Sequence, residues 1–314
     1  MDIKVAIIIG YYNGEKFFSE LIDSIFSQTF TNFQIFIFDD NSTIPLDLSK
    51  LDLTNSQKKK IKVYRRKKNL GFCMNFLKGL SQVDDCYDYY SYCDQDDIWN
   101  KDKLSRGIKV MESKRSHEGK KSNLPMLYGT KTSIVNEDCS KVLGESISIK
   151  RPLTFNNAIF QSFAGGNTMI FNLSTKKLIT KELNFVHPIS HDWWTYLCVS
   201  GFGGKVFYDP KPSLLYRQHH QNQMGTNKSW SGRLIRLIAL IKGDFKVCME
   251  RNLDSLKFVE NILNPENKAV LEDFSKARKS NLIFKFYLYR KSGVYRQNLI
   301  GSLIFFILFI FNRI

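Results

Sequence analysis

Three carboxylates follow a run of aromatic residues in the segment YSYCDQDDIW, residues 90–99. They are Asp94, Asp96 and Asp97, and at the end of a buried strand their mutual repulsion is costly without a cation. Asp-x-Asp supplies hard oxygen ligands for Mg²⁺ or Mn²⁺, which keep further positions for water and for substrate phosphate. The segment therefore predicts a metal and diphosphate site. An N-cap on a helix that starts near Trp99 is the alternative, and it explains only one of the acids.

A second acidic pair, Asp39 and Asp40, ends an apolar run and is followed by Asn41 and Ser42. A turn requires only one Asp or Asn, so a turn does not account for the second acid. An acid at the end of a strand can accept a hydrogen bond from a base N–H or a ribose hydroxyl. A nucleotide contact is one interpretation of this pair, and a plain turn is the other.

Strands and helices alternate along the first two hundred residues, and the first of them position both acidic segments. The apolar patterns predict strands at KVAIII, FQIFIF, IKVYR and YDYYSYC, with helices at GEKFFSELIDSIFSQ and NFLKGLSQ. Such alternation predicts a parallel sheet with helices on both faces, and ligands bind at the carboxyl ends of its strands. Both acidic segments fall where a site is expected.

The chain of 314 residues is long enough for one large domain, and it carries 46 Lys and Arg against 30 Asp and Glu, a net charge of +16. This charge suits an anionic partner such as a phosphorylated substrate, an acidic membrane or a nucleic acid. Nucleic-acid binding predicts basic and aromatic residues without a carboxylate cluster, so no nucleic-acid partner is expected. The six cysteines have neither metal nor disulfide spacing and indicate free thiols in a reducing compartment.

The segments VAIIIGYYNGEKFFSELIDSIFSQTFTNFQIFIFDDNS, KNLGFCMNFLKGL and YYSYCDQDDIWNKDKL resemble glycosyltransferase family 2, the inverting nucleotide-sugar transferases of GT-A fold. FAGGNTMIFN and HDWWTYLCVSGFGGKVFYDPKPSLLYRQHHQN resemble its bacterial rhamnosyltransferase branch, which uses dTDP-rhamnose. The resemblance covers residues 3–225. It implies an α/β fold with a Rossmann-like, mostly parallel central sheet and helices on both faces.

The resemblance also implies how the nucleotide is held. The residue after the first strand and the acid after the second hold the base, which corresponds to Tyr11 or Tyr12 together with Asp39. An aromatic ring can stack on the base and bury much area. Asp40 is then expected near the ribose.

The metal-binding Asp-x-Asp of the family corresponds to Asp94 and Asp96. Asp96 is expected to be the direct ligand, and Asp94 a ribose contact or a neighbour of the metal. Asp97 is expected either to contact sugar hydroxyls or to cap a helix. Asn69 and Gly71 match a loop beside the nucleotide sugar, with a structural turn as the alternative.

Inversion by direct displacement needs one carboxylate to remove the proton of the acceptor hydroxyl. The family places this acid at the head of a helix, which corresponds to Asp192 in HDWW. Where relatives have Glu-Asp this chain has His-Asp, so the assignment depends on Asp192 alone, and a helix N-cap is the alternative. His191, Trp193 and Trp194 are expected to wall the acceptor pocket.

Two further segments complete the implied site. Gly165, Gly166 and Asn167 allow close backbone approach to a sugar, although a tight turn would use the same glycines. Arg217 is expected to neutralise diphosphate oxygens, and His219 to complete the metal shell or contact phosphate. The alternative for both is a surface position.

From about residue 227 basic and apolar residues interleave. We therefore predict a GT-A domain over 1–226, with a nucleotide-binding half at about 1–100 and an acceptor half at about 101–226, and a basic helical region over 227–314. Residues 299–311 carry no charge but span only roughly 20 Å, short of the ~30 Å hydrocarbon core. They are expected to form a short interfacial anchor, with a core helix or a dimer contact as the alternative.

Together these features predict an inverting transferase that moves rhamnose from dTDP-rhamnose to a hydroxyl of a polyprenyl-diphosphate-linked glycan in cell-surface polysaccharide synthesis. A UDP-sugar donor is the alternative. The enzyme is expected in the cytoplasm, on the anionic inner face of the bacterial cytoplasmic membrane. An inactive, membrane-associated sugar-nucleotide binding or scaffolding protein is the rival, but it is expected to lack either Asp-x-Asp or the base.

Overall fold

The computed structural model of the chain describes residues 2–117, 123–219 and 243–314. Its strands are β1 (Val5–Tyr11), β2 (Phe33–Asp39), β3 (Ile61–Arg65), β4 (Tyr89–Cys93), β5 (Ile98–Trp99), β6 (Met126–Thr130), β7 (Ser133–Val135), β8 (Val142–Glu145), β9 (Ile170–Asn172), β10 (Lys205–Asp209) and β11 (Leu214–Arg217). Its α-helices are α1 (Glu15–Phe26), α2 (Asn55–Lys59), α3 (Phe72–Gln82), α4 (Lys103–His117), α5 (Phe155–Ala158), α6 (Leu173–Ile179), α7 (His191–Phe202), α8 (Asp244–Phe258), α9 (Pro265–Lys279), α10 (Leu282–Ser292) and α11 (Leu299–Ile310).

The central sheet has seven strands in the order β10-β6-β9-β4-β1-β2-β3. β1 pairs in parallel with β2 and β4, β2 with β3, and β6 with β10, whereas β9 is antiparallel to β4 and β6. The prediction of an α/β fold with a mostly parallel central sheet is confirmed. The antiparallel β9 is the exception that the strand-helix alternation does not indicate.

Side chains along the central strands alternate between two cores, because successive residues of a strand point to opposite faces. On one face Val5, Ile7 and Ile9 pack with the apolar stripe of α1, and on the other Ala6 and Ile8 pack with α3 and α7. Helices therefore cover both faces. This burial explains why the strand sequences are apolar without alternation.

No helix begins near Trp99. Ile98 and Trp99 instead form β5, and α4 begins only at Lys103. β5 pairs with β11 in a second sheet whose order is β5-β11-β7-β8. The alternative in which Asp96 or Asp97 caps a helix is therefore wrong.

The C-terminal helices pack on the preceding α/β part of the chain. Met249, Phe274 and Phe305 share one core with residues of α5 to α7, and the Phe160 ring lies 5.5 Å from Phe274 and 5.4 Å from Phe305. The predicted boundary at 226/227 falls between residues 220 and 242, outside the described residues, and stays a prediction.

The apolar helix α11 is divided between protein and solvent. Phe305, Leu308 and Phe309 are buried, as the core-helix alternative expected, whereas Leu299 and Ile300 on the other side are largely exposed. Of the helices in the described ranges, none is both long and apolar enough to cross a membrane.

Candidate active site

The ends of β1 and β2 bring the first two predicted segments together. Tyr11 lies opposite Asp39 in the parallel register, and the Asp40 N–H donates to the Tyr11 carbonyl at 2.8 Å. The Tyr11 ring is buried edge-on against Phe18, with ring centroids 5.0 Å apart, whereas Tyr12 is 47% exposed. Only Tyr12 of this pair has a ring that is accessible for stacking.

The two acids after β2 hold the backbone of nearby loops. Asp39 Oδ1 accepts a hydrogen bond from the Ser42 N–H at 2.8 Å, which is the turn contact, and Asp40 Oδ1 accepts from the Leu70 N–H at 2.8 Å. Both carboxylates are buried, and burial raises the pKa of Asp40 against the opposing hydrogen bond from Leu70. Asp40 thus fixes the loop after β3 beside the end of β2.

That loop contains Asn69 and Gly71. Asn69 Oδ1 accepts from the Gly71 N–H at 2.9 Å, and Gly71 adopts φ +77°, in the left-handed region that favours glycine. No heavy atom lies within 4 Å of a Cβ built on Gly71, so the backbone angle and not crowding favours glycine there. The structural-turn role is present, and a sugar contact stays a proposal.

Gln95 connects the acidic segment to the loop after β1, a role that the sequence did not indicate. The Tyr12 N–H donates to Gln95 Oε1 at 2.7 Å, and Gln95 Nε2 donates to the Tyr12 carbonyl at 3.0 Å. A Cβ on Gly14 would lie 2.4 Å from Gln95 Oε1. The only sequence signal for Gln95 is its position between Asp94 and Asp96.

Asp97 lies at the buried end of the acidic segment. Asn167 Nδ2 donates to Asp97 Oδ2 at 2.7 Å, while Asp97 Oδ1 is buried and has no hydrogen-bond partner among the described residues. Burial raises the pKa of Asp94 to about 7, and burial together with the neighbouring acids raises that of Asp97 well above its usual range. The repulsion expected from the sequence is therefore present.

Lys103, at the start of α4, is the internal cation of this cluster. It is 1% exposed, its Nζ donates to the Asn167 carbonyl at 2.5 Å, and the same atom lies 3.4 Å from the Trp99 ring centroid. Burial lowers its pKa to about 7, and the charges of Asp97 and Asp94 oppose that change. Lys103 does not stand out in the sequence, because one Lys among 46 Lys and Arg gives no signal of burial.

Asp192 reaches the same region from α7. Ser190 occupies the N-cap position, so Asp192 lies within the first helical turn and is not the capping residue. It is partly exposed, and its charge is close enough to Asp94 to contribute to the raised pKa of that carboxyl. The predicted base and the predicted metal segment therefore lie within electrostatic reach of one another.

The neighbours of Asp192 belong to the core. Trp194 is fully buried and donates from Nε1 to the Ile179 carbonyl at 3.1 Å, and Trp193 donates from Nε1 to the Ala158 carbonyl at 2.6 Å. The structure does not bring either indole to an open acceptor pocket. An apolar helix is expected to be largely buried, and in α7 the residues from Trp193 to Gly201 are all buried.

His191 is buried among aromatic rings. It stacks on Phe76 at 4.1 Å between centroids and meets Tyr92 edge-on at 4.6 Å. Neither ring nitrogen has a hydrogen-bond partner among the described residues, and burial lowers the His191 pKa to about 4. A Cβ on Gly166 would lie 2.3 Å from His191 Nε2, so this glycine is needed for contact with His191. Gly165 and Asn167 flank that contact.

The end of β11 lies against the acidic segment. His219 Nε2 lies 2.7 Å from Asp96 Oδ2. Arg217 is 2% exposed, donates from Nε to the Asp96 carbonyl at 3.2 Å, and pairs through Nη2 with Glu20 at 2.7 Å. Arg217 therefore holds the loop of Asp96, in addition to any contact with substrate.

The donor set fits a cation that substrate oxygens complete. Asp96 and His219 supply one carboxylate and one imidazole close together, with Asp94 two residues away. In the part of the chain that the structure describes, no three His, Cys, Asp or Glu side chains converge as a ready-made metal cage. Mg²⁺ and similar ions are commonly held by one or two carboxylates plus water and phosphate, which is compatible with this arrangement.

The chain is similar in sequence to known glycosyltransferases. Residues 6–117 match the family model described as Glycosyl transferase family 2. The chain is 29% identical over 234 residues to the dTDP-rhamnosyl transferase RfbG of Shigella flexneri, covering 72% of this chain and 76% of that protein. It is 28% identical over 225 residues to an uncharacterized glycosyltransferase of Haemophilus influenzae, covering 68% of this chain and 65% of that protein.

Two further comparisons concern a lipid-linked substrate and the fold. The chain is 26% identical over 193 residues to the UDP-Glc:alpha-D-GlcNAc-diphosphoundecaprenol beta-1,3-glucosyltransferase WfgD of Escherichia coli, covering 62% of this chain and 69% of that protein. The crystal structure of S. aureus TarS 1–349 in complex with UDP-GlcNAc has a TM-score of 0.53 at 16% identity and covers 93% of each chain. This last likeness concerns the fold alone.

Proposed function

Since this chain is a family 2 glycosyltransferase, we propose that it transfers a sugar from a nucleotide diphosphate to an acceptor hydroxyl with inversion at the anomeric carbon. One observation carries the proposal: Asp192 follows His191, whose ring meets Tyr92 at 4.6 Å two residues before Asp94, and in the same acidic segment Asp96 meets His219. A base on one side and a diphosphate site on the other is the arrangement that direct displacement needs.

The strand-end loops supply the nucleotide contacts in this proposal. The exposed Tyr12 ring stacks on the base, and buried Asp39 accepts a hydrogen bond from it. Asp40 lies toward the ribose and fixes the loop of Asn69 and Gly71 through its bond to Leu70. Stacking by a ring with few rotatable bonds binds the base at low entropic cost.

Asp96 and His219 would hold Mg²⁺ or Mn²⁺, with Asp94 beside them. Transferases of this family generally use a divalent cation, which here would neutralise charge on the departing diphosphate. Arg217 keeps the Asp96 loop in place through its bond to the Asp96 carbonyl, and its charge pairs with Glu20.

Asp192 acts as the general base. Its carboxylate takes the proton of the acceptor hydroxyl as that oxygen bonds to the anomeric carbon, while the bond from that carbon to the diphosphate oxygen breaks and the nucleoside diphosphate leaves. Asp97 contributes its unpartnered Oδ1 as an acceptor for a hydroxyl of the donor sugar. The Asn167 amide holds Asp97 in position for that contact, and Lys103 holds Asn167 through its carbonyl.

The donor we propose is dTDP-rhamnose, because the relative RfbG is named as a dTDP-rhamnosyl transferase. The name of WfgD supports a UDP-sugar as the second candidate. The same name describes an acceptor on diphosphoundecaprenol, which supports a polyprenyl-diphosphate-linked glycan as the acceptor here. Such an acceptor places the enzyme at the cytoplasmic face of the bacterial membrane, in cell-surface polysaccharide synthesis.

Nucleoside diphosphate release from dTDP-rhamnose, UDP-glucose and UDP-GlcNAc tests the proposal. Each donor is incubated with the purified full chain in Mn²⁺, in Mg²⁺, and in excess EDTA followed by restored metal. We expect release that needs metal and is fastest with dTDP-rhamnose. Binding of a donor without release under any condition would instead support a sugar-nucleotide binding protein, and metal-independent release would contradict the role of Asp96.

A further inference from the structure

Helices α10 and α11 expose an apolar surface that the transfer reaction does not explain. We call it the tail face; its side chains, each at least 46% exposed, are Leu282, Ile283, Phe284, Phe286, Tyr287, Leu299, Ile300, Leu303, Ile307 and Phe311. Ile283 is the most exposed, at 81%. Soluble monomers rarely expose so many large apolar side chains on neighbouring elements, and such patches mark interaction sites.

The two helices of the tail face pack against each other. The Phe306 ring of α11 lies 5.8 Å from Phe286 and 5.0 Å from Tyr289 of α10. The sides that point inward are buried, with Tyr289 on α10 and Phe309 on α11 at 4.8 Å from one another. The exposed side chains thus remain on the outer sides of a packed helix pair.

The segment between the two helices fastens this pair to the catalytic part of the chain. Gln297 Oε1 accepts from the N–H groups of Lys150 and Arg151 at 3.0 and 2.8 Å, and Asn157 Nδ2 donates to the Tyr295 carbonyl at 3.1 Å. The tail face is therefore presented by the folded enzyme at a fixed place on its surface.

The charges around the tail face identify its partner. Residues 274–314 contain eight Lys and Arg and no Asp or Glu; the exposed ones are Lys276, Lys279, Arg290, Lys291 and Arg313. Lys276 pairs with Glu272 and Lys291 with Asp273, both just before this range. A second copy of the chain would bring like charges together across the interface, which is unfavourable. An anionic bilayer would accept the apolar side chains and attract each basic residue near its surface.

We infer that the tail face binds an anionic membrane by shallow insertion of α10 and the outer side of α11. At about 1.5 Å per residue, the 12 residues of α11 extend roughly 18 Å, which suits an interfacial position. The inference rests on the proposed function in one respect only: a lipid-linked acceptor would be met at the membrane that the tail face binds. It also moves the expected anchor from residues 299–311 alone to a surface that α10 shares.

Flotation of the full chain with phosphatidylcholine vesicles, with and without phosphatidylglycerol, tests the inference. We expect the wild type to float with the anionic vesicles and, more weakly, with the neutral ones, with binding that falls as salt rises. The double variant Ile283→Ser, Phe284→Ser should lower the bound fraction at least ten-fold. Ile147→Ser, at a position 73% exposed outside the tail face, is the matched control and should leave it unchanged.

Three results would overturn the inference. The first is a wild type that does not bind anionic vesicles, and the second is a double variant that floats as well as the wild type. The third is a wild-type dimer in light scattering that the double substitution converts to a monomer, while neither protein floats. Donor hydrolysis in solution and the melting temperature, measured on all variants, should stay at the wild-type values. A wild-type chain that floats but turns over no donor would contradict the proposed function and would still support membrane binding by the tail face.

Discussion

His219 Nε2 lies 2.7 Å from Asp96 Oδ2, although the two residues are 123 positions apart in the chain. Strand β11 brings them together, and Arg217 of the same strand donates to the Asp96 carbonyl at 3.2 Å. The end of β11 is therefore held against the acidic segment at two points. This contact unites two of the residues to which metal binding was assigned from the sequence.

Substitution of either member of this pair should weaken the use of metal. For Asp96→Asn and for His219→Ala we expect the Mn²⁺ concentration that gives half-maximal donor turnover to rise at least about tenfold, because one ligand is lost. The measurement is a Mn²⁺ titration of nucleoside diphosphate release. Asp52→Asn, at an exposed acid, is the control. A wild-type titration curve for both ligand variants would refute the metal assignment.

Lys103→Met should destabilise the fold. It removes the buried ammonium that donates to the Asn167 carbonyl and lies close enough to Asp94 and Asp97 to lower their pKa values, and a buried carbonyl left without its partner costs roughly 1–3 kcal/mol. Urea unfolding measures this change in the free energy of unfolding. Lys101→Met, two positions earlier and exposed, should be close to neutral. Equal stability of Lys103→Met and wild type would show that the acids do not need Lys103.

His191→Phe should alter how stability depends on pH. The pKa of His191 is about 4 when folded and about 6.5 when unfolded, so below pH 6.5 the unfolded chain binds a proton that the folded chain does not. The contribution of His191 to the free energy of unfolding therefore falls as the pH drops toward 4. At pH 5 it is about 2 kcal/mol lower than at neutral pH. The Asp192 charge acts in the opposite direction and is already included in that pKa.

The Phe variant keeps the stack on Phe76 and lacks the titrating ring. It should be at least as stable as wild type at pH 7, because two buried nitrogens without described partners are removed. Urea unfolding between pH 4.5 and 7.5 compares the two, with His187→Gln at an exposed histidine as the control. Parallel pH curves for His191→Phe and wild type would contradict the prediction.

Helix α8 should position the segment that leads to Asp192. Asn252 Oδ1 accepts from the Ile189 N–H at 3.0 Å, and Ser255 Oγ accepts from the His187 N–H at 3.0 Å. Asn252→Leu leaves a backbone N–H without its partner, which costs about 1–3 kcal/mol, and should lower kcat more than donor affinity. Asp254→Asn, at an exposed position on the same helix, is the control. Unchanged stability and kcat in Asn252→Leu would mean that α8 does not position the base.

The sequence predicted the fold best where the apolar patterns are long. The strands from Val5 to Tyr11 and from Phe33 to Asp39 and the helix between them follow from burial and helical spacing. The antiparallel β9 has three residues and β5 has two, too few for a periodic pattern to appear. Their pairing depends on distant partners that local sequence does not indicate.

The candidate site was predictable where it lies at strand ends, because parallel strands bring their carboxyl ends to one edge of the sheet. Asp39 and Asp94 follow that rule. Gln95 and Lys103 did not stand out, since their roles depend on contacts with Tyr12 and Asn167 that only the folded chain creates. For Trp194 the sequence indicated a pocket wall, but its side chain is fully buried and packs in the core.

Turnover by Asp192→Asn, measured beside donor affinity, tests whether Asp192 is the general base. The donor is the one that the wild type turns over fastest, at saturating concentration and with Mn²⁺ present. Loss of a general base should lower turnover about 10²–10⁴-fold, while the dissociation constant for the donor stays at the wild-type value. Wild-type turnover by Asp192→Asn would contradict the account.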